Sequence, residues 1–290
     1  MKKIVFLGCE NSHSAMFLEF IKTNPKYSDI EVLGVYSYDE DACKNLNEKY
    51  GVPILENYDS MVGKVDGVVV TARHGDNHYK YAKPYIQKGV TLFLDKPITI
   101  SETEAQSLMK ECKEKGAKIT GGSCLRFEKF VNQISSEHLS NEDGATLGGF
   151  IRCPVSLENE YGGFYFYAQH LVEAVLVAFG RSVKSVYAKR NGKTLQVMFN
   201  YSDFTVCGTF SELGFGSYYL ARLTENKVTS SDLSVDSFCF NSEWEEFYNI
   251  LSGANQVADF KEFISPVFVM NAIYRSMQTK REEIIKEYEV

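Results

Sequence analysis

The stretch that decides the fold is VTLFLDKPITI at residues 90–100. Four apolar residues among its first five predict a buried β-strand, and Pro97 prevents that strand from continuing. The charged pair Asp95-Lys96 follows the apolar run directly, and Pro97 restricts Lys96 to an extended backbone. A lysine held in this way at a strand end is a candidate functional residue; the alternative is a solvated lysine paired with Asp95 or Glu102.

Apolar strands alternate with helical segments on both sides of this stretch. Strands are predicted at residues 3–7, 30–37, 52–55 (weak), 65–72, 90–94 and 117–120. Helix signals lie between them, including the N-cap Asp39, the capping box from Ser101 to Glu104 and a helical segment at residues 76–89. Strands that are apolar throughout, each followed by a helix, indicate a parallel sheet covered on both faces.

After Gly121-Gly122 the pattern changes to alternating polar and apolar residues. Such strand-like runs occupy residues 150–157, 185–191, 193–202, 204–212, 216–225 and 233–241. Helices are predicted at residues 127–138, at 162–180 and over most of 243–288. The second half is therefore expected to be an α+β domain with a mostly antiparallel sheet. We place the domain boundary so that residues 1–122 form the first domain and 123–290 the second.

Composition excludes several classes of protein. The formal net charge is -7, the pI is about 5.4, and no concentrated basic patch is present, which argues against a nucleic-acid partner. No apolar run reaches the roughly 18 residues of a membrane helix. Seven cysteines lie far apart without a C-x-x-C pair, which is typical of a reduced cytoplasmic protein.

The turn after the first strand resembles a phosphate-binding loop that has lost glycines. It reads GCENSH at residues 8–13, so only the first glycine of G-x-G-x-x-G remains. The turn is short and polar, and Asn11 or Ser12 can cap the following helix and donate to a phosphate. The alternative is a capped strand–helix turn without a ligand.

The end of the second strand does not decide between NAD and NADP. The acidic residue that binds the adenosine ribose of NAD is expected near Ser37, whereas Asp39 lies two residues later and is a helix cap. No arginine follows Ser37 to attract a 2′-phosphate. The sequence therefore leaves the cofactor as NAD or NADP.

Several motifs together resemble the glucose–fructose oxidoreductase / inositol dehydrogenase / MocA (Gfo/Idh/MocA) family. They are the segment at residues 65–97 ending in the DKP triplet, GGSCLRF at 121–127, GGFYFYAQHLVEAVLVAFG at 162–180, and FYNILSG with AIYRSM near the C-terminus. The resemblance implies a Rossmann domain, a doubly wound parallel sheet, followed by an open-faced α+β domain. It also implies a dehydrogenase that transfers hydride between a nicotinamide and a sugar, polyol or related hydroxylated substrate.

The resemblance also implies roles for individual residues. Lys96 matches the lysine of the triplet, which contacts substrate and cofactor, and His170 matches the usual proton-transfer residue. Phe166 stands where the family usually has an aspartate, four residues before this histidine, while Tyr167 supplies a nearby hydroxyl. The predicted catalytic residues are Lys96, His170 and Tyr167, with Lys96 and His170 expected to meet beside the nicotinamide. Arg126, Tyr165, Tyr167, Lys96 and His170 are expected to bind substrate.

The predicted cofactor contacts come from the strand ends and the loops after them. They are Gly8, Glu10, Asn11, Ser12, His13, Ser37, Tyr38, Thr71, Ala72, Arg73, His74, His78, Asp95, Lys96 and Pro97. No metal site is predicted, because the H-x-x-x-H spacing of His74 and His78 lacks a third ligand.

Other readings of the same pattern stay open. The chain is alternatively a degenerate sensor or scaffold that binds a dinucleotide or sugar without turnover. A third possibility is glycoside cleavage through transient oxidation, as some relatives perform. The open-faced sheet predicts a homodimer or homotetramer, with no nucleic-acid or membrane partner.

Overall fold

In the computed structural model, residues 1–288 are described, and they pack as two compact units. The first unit contains residues 1–122 and 241–263, and the second contains residues 123–240 and 264–288. This packing differs from the sequence-based division in residues 241–263, which lie with the N-terminal unit. The functional assignments of the two domains stay predictions.

A five-stranded parallel sheet forms the centre of the first unit. Its strands are β1 (Lys2–Leu7), β2 (Ile30–Tyr36), β3 (Gly67–Val70), β4 (Thr91–Asp95) and β5 (Lys118–Gly122), and its first four helices are α1 (Ser12–Thr23), α2 (Glu40–Tyr50), α3 (Asp76–Ala82) and α4 (Glu102–Lys115). The strand order is β2-β1-β3-β4-β5, so β2 and β3 pair with opposite edges of β1. The carboxyl ends of β1 and β3 therefore border the crevice where doubly wound sheets bind ligands.

The weak strand predicted at residues 52–55 is wrong. A single bridge joins Ile54 to Val35, and the carbonyl of Pro53 accepts from Val35 N at 2.9 Å. Proline has no N–H to donate to a continuing ladder, so the segment makes one bridge and no sixth strand.

The helix predicted at residues 76–89 is shorter than expected. It ends as an α-helix at Ala82, and a 3₁₀ turn follows at Lys83–Tyr85. Pro84 has no backbone N–H to donate to the carbonyl four residues earlier, which explains why the α-helical hydrogen bonding of α3 ends before it.

The second unit contains a seven-stranded mixed sheet. Its strands are β6 (Gly148–Pro154), β7 (Ser185–Asn191), β8 (Thr194–Asn200), β9 (Thr205–Ser211), β10 (Tyr219–Leu223), β11 (Val228–Asp232) and β12 (Glu283–Ile284). The order is β11-β10-β6-β9-β8-β7-β12, and every pair except β6–β9 is antiparallel. The mostly antiparallel sheet is thus confirmed. The edge strand β11 was not predicted, because its sequence VTSSD carries only one large apolar residue.

The remaining helices are α5 (Lys129–Ser140), α6 (Tyr165–Ala178), α7 (Ser237–Leu251) and α8 (Phe260–Thr279). Helix α6 packs against β6 and β9, and almost all of its residues are buried, which explains its apolar character all round. Within residues 1–288, none of the helices has both the length and the apolar character needed to cross a bilayer.

Helix α7 replaces the strand predicted at residues 233–241. Asp236 is the reason, since its carboxylate accepts from Phe238 N at 2.9 Å and so caps a helix. Farther along, Trp244 is fully buried and its ring stacks on Phe17, with the centroids 4.9 Å apart. These aromatic contacts place the second half of α7 in the core of the first unit.

Candidate functional site

The loop between β1 and α1 lies at the carboxyl edge of the parallel sheet. Asn11 Oδ1 accepts from His13 N at 3.3 Å and caps α1. Among the described residues, the backbone N–H groups of Glu10, Asn11 and Ser12 have no hydrogen-bond partner. Unpaired N–H groups and the positive end of a helix dipole favour an anion. The loop therefore fits the pyrophosphate of a dinucleotide, although two of the three glycines are missing.

Gly8 is the glycine that this loop requires. Its φ is +72°, and a Cβ at this position would lie 2.4 Å from the Cβ of Ala72. Thr71 Oγ1 donates to the Gly8 carbonyl at 3.1 Å and lies 2.5 Å from Ser14 Oγ. These contacts join the end of β3 to the loop and to α1. They bring together Gly8, Thr71 and Ala72, three of the predicted cofactor residues.

Glu10 occupies the position of the second glycine, and its side chain is buried. One carboxylate oxygen accepts from Ser37 Oγ at 2.6 Å, and the other accepts from Arg73 N at 3.0 Å. Ser37 follows β2 and is also buried, whereas the neighbouring Tyr38 is exposed. The Glu10 carboxylate is therefore fixed where the chain leaves β2 and β3.

Asp95 joins the end of β4 to the start of α1. Its Oδ2 lies 2.7 Å from His13 Nδ1 and accepts from Asn11 Nδ2 at 3.3 Å, while Oδ1 accepts from Lys96 N at 2.7 Å. Burial alone would raise the pKa of Asp95. The charge and hydrogen bond of His13, together with Lys96, outweigh burial and hold the pKa of Asp95 below its usual value. The histidine at the third glycine position is thus bound to a buried carboxylate.

Lys96 lies directly after β4 and is only 4% exposed. Its peptide bond to Pro97 is cis. Gly75 from the loop after β3 packs closely on this segment, since a Cβ there would lie 2.8 Å from Pro97 Cγ. Such burial does not fit the alternative of a solvated surface lysine.

His74 and His78 have different environments. His78 is fully buried, its ring Nε2–H donates to the Ala72 carbonyl at 2.7 Å, and its Nδ1 has no hydrogen-bond partner. His74 Nδ1 instead accepts from Asp76 N at 3.3 Å. No group of three or more His, Cys, Asp or Glu side chains able to hold a metal occurs in residues 1–288. His78 supports the loop after β3, and its contact with a cofactor stays a prediction.

Acid is expected to destabilise the protein through His78. Burial lowers the pKa of its imidazole, so below the unfolded value near 6.5 the unfolded chain binds the additional proton. Lowering the pH from about 7 to about 5.5 should then reduce the free energy of unfolding by about 1 kcal/mol through this residue. Denaturant unfolding of the wild type and of His78→Asn at both pH values measures the effect. An identical pH dependence in the two proteins would contradict it.

His170 lies on α6 in the second unit, where Ser123 holds its ring. Ser123 Oγ is 2.7 Å from His170 Nδ1 and also accepts from Leu125 N at 3.2 Å. Ser123 N donates to Glu173 Oε2 at 2.8 Å, and the same oxygen accepts from Gln169 Nε2 at 2.9 Å. Burial raises the pKa of Glu173, which is a structural partner of the serine here. The hydroxyl of Ser123 therefore orients the imidazole.

The aromatic residues at the start of α6 separate into two environments. The ring of Tyr167 lies beside His170, with the centroids 5.5 Å apart, so these two predicted site residues are together. Tyr165 instead donates its hydroxyl to Asn271 Oδ1 of α8 at 3.0 Å. Phe166 packs on the rings next to it and supplies no polar atom to the histidine.

Arg126 lies on the 3₁₀ turn after Ser123, and its guanidinium is 4.2 Å from the ring centroid of Phe127. Its positive charge opposes the effect of burial on the pKa of Glu173. A substrate contact of Arg126 or of Tyr165 stays a prediction.

Comparison with protein families identifies the N-terminal segment. Residues 2–123 match the profile of the Gfo/Idh/MocA family, which is described as an oxidoreductase family with an NAD-binding Rossmann fold. Residues 2–123 belong to this family. The resemblance inferred from the DKP triplet is thus confirmed, and the Gfo/Idh/MocA domain contains the loop at Gly8, Glu10, Asp95 and Lys96.

A curated relative of this chain is the glucose-6-phosphate 3-dehydrogenase of Bacillus subtilis (strain 168). The two are 28% identical over 151 residues, which cover 51% of this chain and 41% of that protein. The chain therefore matches less than half the length of this relative.

Solved structures extend the likeness to almost the whole chain. A putative myo-inositol dehydrogenase from Sinorhizobium meliloti 1021 has a TM-score of 0.83 at 15% identity, covering 99% of this chain and 100% of that one. The apo scyllo-inositol dehydrogenase from Lactobacillus casei has a TM-score of 0.84 at 12% identity, covering 98% of both chains. At these identities the likeness shows the fold alone, which confirms the predicted pairing of a Rossmann sheet with a mostly antiparallel one.

Ser123 is the residue that the sequence reasoning missed. It lies within the GGSCLRF motif, but a serine after two glycines carries no chemical signal of its own. Only its distance to the His170 ring distinguishes it from an ordinary turn residue.

Proposed function

We propose that this protein is an NAD(P)-dependent dehydrogenase that acts on the CH–OH group of a small sugar, polyol or related hydroxylated substrate. The observation that carries this proposal is the grouping of Asp95 and Lys96 with the unpaired N–H groups at the start of α1. That grouping lies in a domain of an NAD-binding oxidoreductase family. The names of the relatives, a sugar-phosphate dehydrogenase and inositol dehydrogenases, support the substrate class.

The residues of the first unit would hold the cofactor. The backbone N–H groups from Glu10 to Ser12 would bind the pyrophosphate, and Gly8 allows the close turn that presents them. A bound nicotinamide would supply the hydride acceptor. The ammonium of Lys96 would stabilise the negative charge that develops on the substrate oxygen.

His170 would take the proton of the substrate hydroxyl. An imidazole has an ordinary pKa near 6.5, which suits proton transfer near neutral pH. Ser123 Oγ holds Nδ1 of the ring, and Nε2 would be the atom that exchanges a proton with the substrate. Tyr167 lies beside this ring and would contact the substrate. The meeting of Lys96 and His170 on one substrate is part of this proposal.

A direct experiment is nucleotide binding followed by turnover. We expect the purified protein to bind NADH or NADPH and to change the absorbance of the reduced nicotinamide when sugars and polyols are supplied. Replacing Lys96 with methionine should lower kcat by about 10²–10³. Lys88→Met is the matched control, because Lys88 is an exposed lysine in the loop before β4. Failure of the wild type to bind either nucleotide would contradict the proposal.

The phenylalanine at position 166 favours a second candidate function, that of a sensor or scaffold that binds a dinucleotide or sugar without turnover. Its ring replaces the carboxylate that the resemblance places four residues before His170, so the histidine lacks that acidic neighbour. Nucleotide binding without turnover across a broad panel would support this candidate. Assembly into a homodimer or homotetramer stays a prediction.

A further inference from the structure

The carboxylate at the end of β2 comes from an unusual place in the chain. In NAD-binding sheets an acidic residue at the end of the second strand accepts a hydrogen bond from a hydroxyl of the adenosine ribose. Here that strand is followed by Ser37, and the next acid, Asp39, caps α2, where its Oδ1 accepts from Asp41 N and Ala42 N, both at 3.1 Å. Ser37 has no carboxylate, and the carboxylate of Asp39 is exposed at the start of α2.

Glu10 fills this gap from the loop after β1. Its Oε2 accepts from Ser37 Oγ at 2.6 Å, and Ser37 Oγ in turn accepts from Asp39 N at 3.1 Å. The second oxygen accepts from Arg73 N at 3.0 Å, so the carboxylate is held on two sides. Each oxygen keeps a lone pair for another donor, because a carboxylate accepts about four hydrogen bonds.

The position of Glu10 in the loop adds to this argument. Glycine at the second position of G-x-G-x-x-G lets the backbone approach the pyrophosphate, and a side chain there would ordinarily project toward the ligand. Here the Glu10 side chain is folded onto Ser37 and is only 9% exposed. The backbone N–H of Glu10 stays unpaired, so the residue keeps the anion-binding group of the glycine and adds a carboxylate beside β2.

We propose that Glu10 selects NAD over NADP. Its carboxylate would accept a hydrogen bond from a ribose hydroxyl of NAD and would repel the 2′-phosphate of NADP. This inference rests on the proposed function, because it concerns the cofactor of that same site. The sequence around β2 leaves the choice between NAD and NADP open, and this inference assigns that choice to Glu10 in the loop after β1.

The test compares the dissociation constants of NADH and NADPH, measured by nicotinamide fluorescence, in the wild type, Glu10→Gln and Glu31→Gln. We expect the wild type to bind NADH at least about tenfold more tightly than NADPH, and Glu10→Gln to reduce that ratio by about tenfold, as the loss of one charge-assisted contact predicts. Glu31→Gln should keep the wild-type ratio. Glu31 is exposed and pairs in register with Lys3, at the amino end of the sheet, so it controls for the change in net charge.

A second measurement needs no variant, and it tests the preference for NAD over NADP even if Glu10→Gln does not fold. The wild type is titrated with 5′-AMP and with adenosine 2′,5′-bisphosphate in competition with bound NADH. We expect 5′-AMP to compete more strongly. Stronger competition by the bisphosphate, equal binding of NADH and NADPH, or an unchanged ratio in folded Glu10→Gln would overturn the assignment of Glu10. Each of these results leaves the proposed function standing, whereas binding of neither nucleotide by any of the proteins would remove both.

Discussion

Replacing His170 with alanine is expected to lower kcat by about 10²–10⁴, the range for loss of a general acid or base. The ring lies on α6 and is held by Ser123 at 2.7 Å. Binding of the nicotinamide cofactor should be unchanged, because the residues proposed to hold it belong to the first unit. Steady-state kinetics with the best substrate of the panel, together with a nucleotide titration, measure the two effects.

Ser123→Ala gives a graded form of the same experiment. It removes the hydroxyl that orients the imidazole and leaves the imidazole in place, so we expect a loss of about tenfold in kcat and a shifted pH–rate profile. A serine with only a structural role would change stability without moving the pH profile.

His138→Ala is the matched control. His138 also has its Nδ1 on a hydroxyl, that of Thr146 at 2.9 Å, but it lies on α5. It should keep the wild-type kcat. An alanine variant of His170 with normal turnover would remove this histidine from the mechanism and would favour a water or another side chain as the proton acceptor.

Replacing Trp244 with alanine is expected to destabilise the protein by about 3–5 kcal/mol, the usual cost of deleting a buried large aromatic ring. The indole is fully buried, and its centroid lies 4.9 Å from that of Phe17 and 6.2 Å from that of Phe6. The same helix face places Phe247 against Phe93, with the centroids 5.8 Å apart. The loss should be seen as a lower denaturant midpoint of the full chain.

Phe238→Ala is the control for this substitution. Phe238 lies at the start of the same helix but is exposed, so its removal should cost less than about 1 kcal/mol. A Trp244→Ala protein as stable as this control would mean that α7 is not part of the core of the first unit.

The first half of the fold was predictable because its signals are local. Each strand of the parallel sheet is a short apolar run, and Gly8 and Pro97 mark two of the turns where strands end. The errors arose where a single residue overrides a pattern. Pro53 limits a strand to one bridge, and Asp236 starts a helix inside a stretch with strand-like alternation.

The candidate site was predictable in part for the same reason. Residues at strand ends, such as Asp95 and Lys96, can be placed from the strand pattern and the DKP triplet. Their partners cannot, because His13 is 82 positions away from Asp95 in the chain and contacts it only in the folded sheet. Ser123 and His170 are likewise 47 positions apart.

By itself, the sequence determined the alternation of strands and helices, the change of pattern after Gly122 and the likeness to a dehydrogenase family. These follow from periodicity and from motifs that are contiguous in the chain. The tertiary structure alone decided that α7 from residue 241 onward packs with the N-terminal unit, that Glu10 carries the carboxylate at the end of β2, and that Ser123 orients His170. Each of these depends on side-chain contacts between distant segments, and such contacts are set by packing and burial, which no local pattern records.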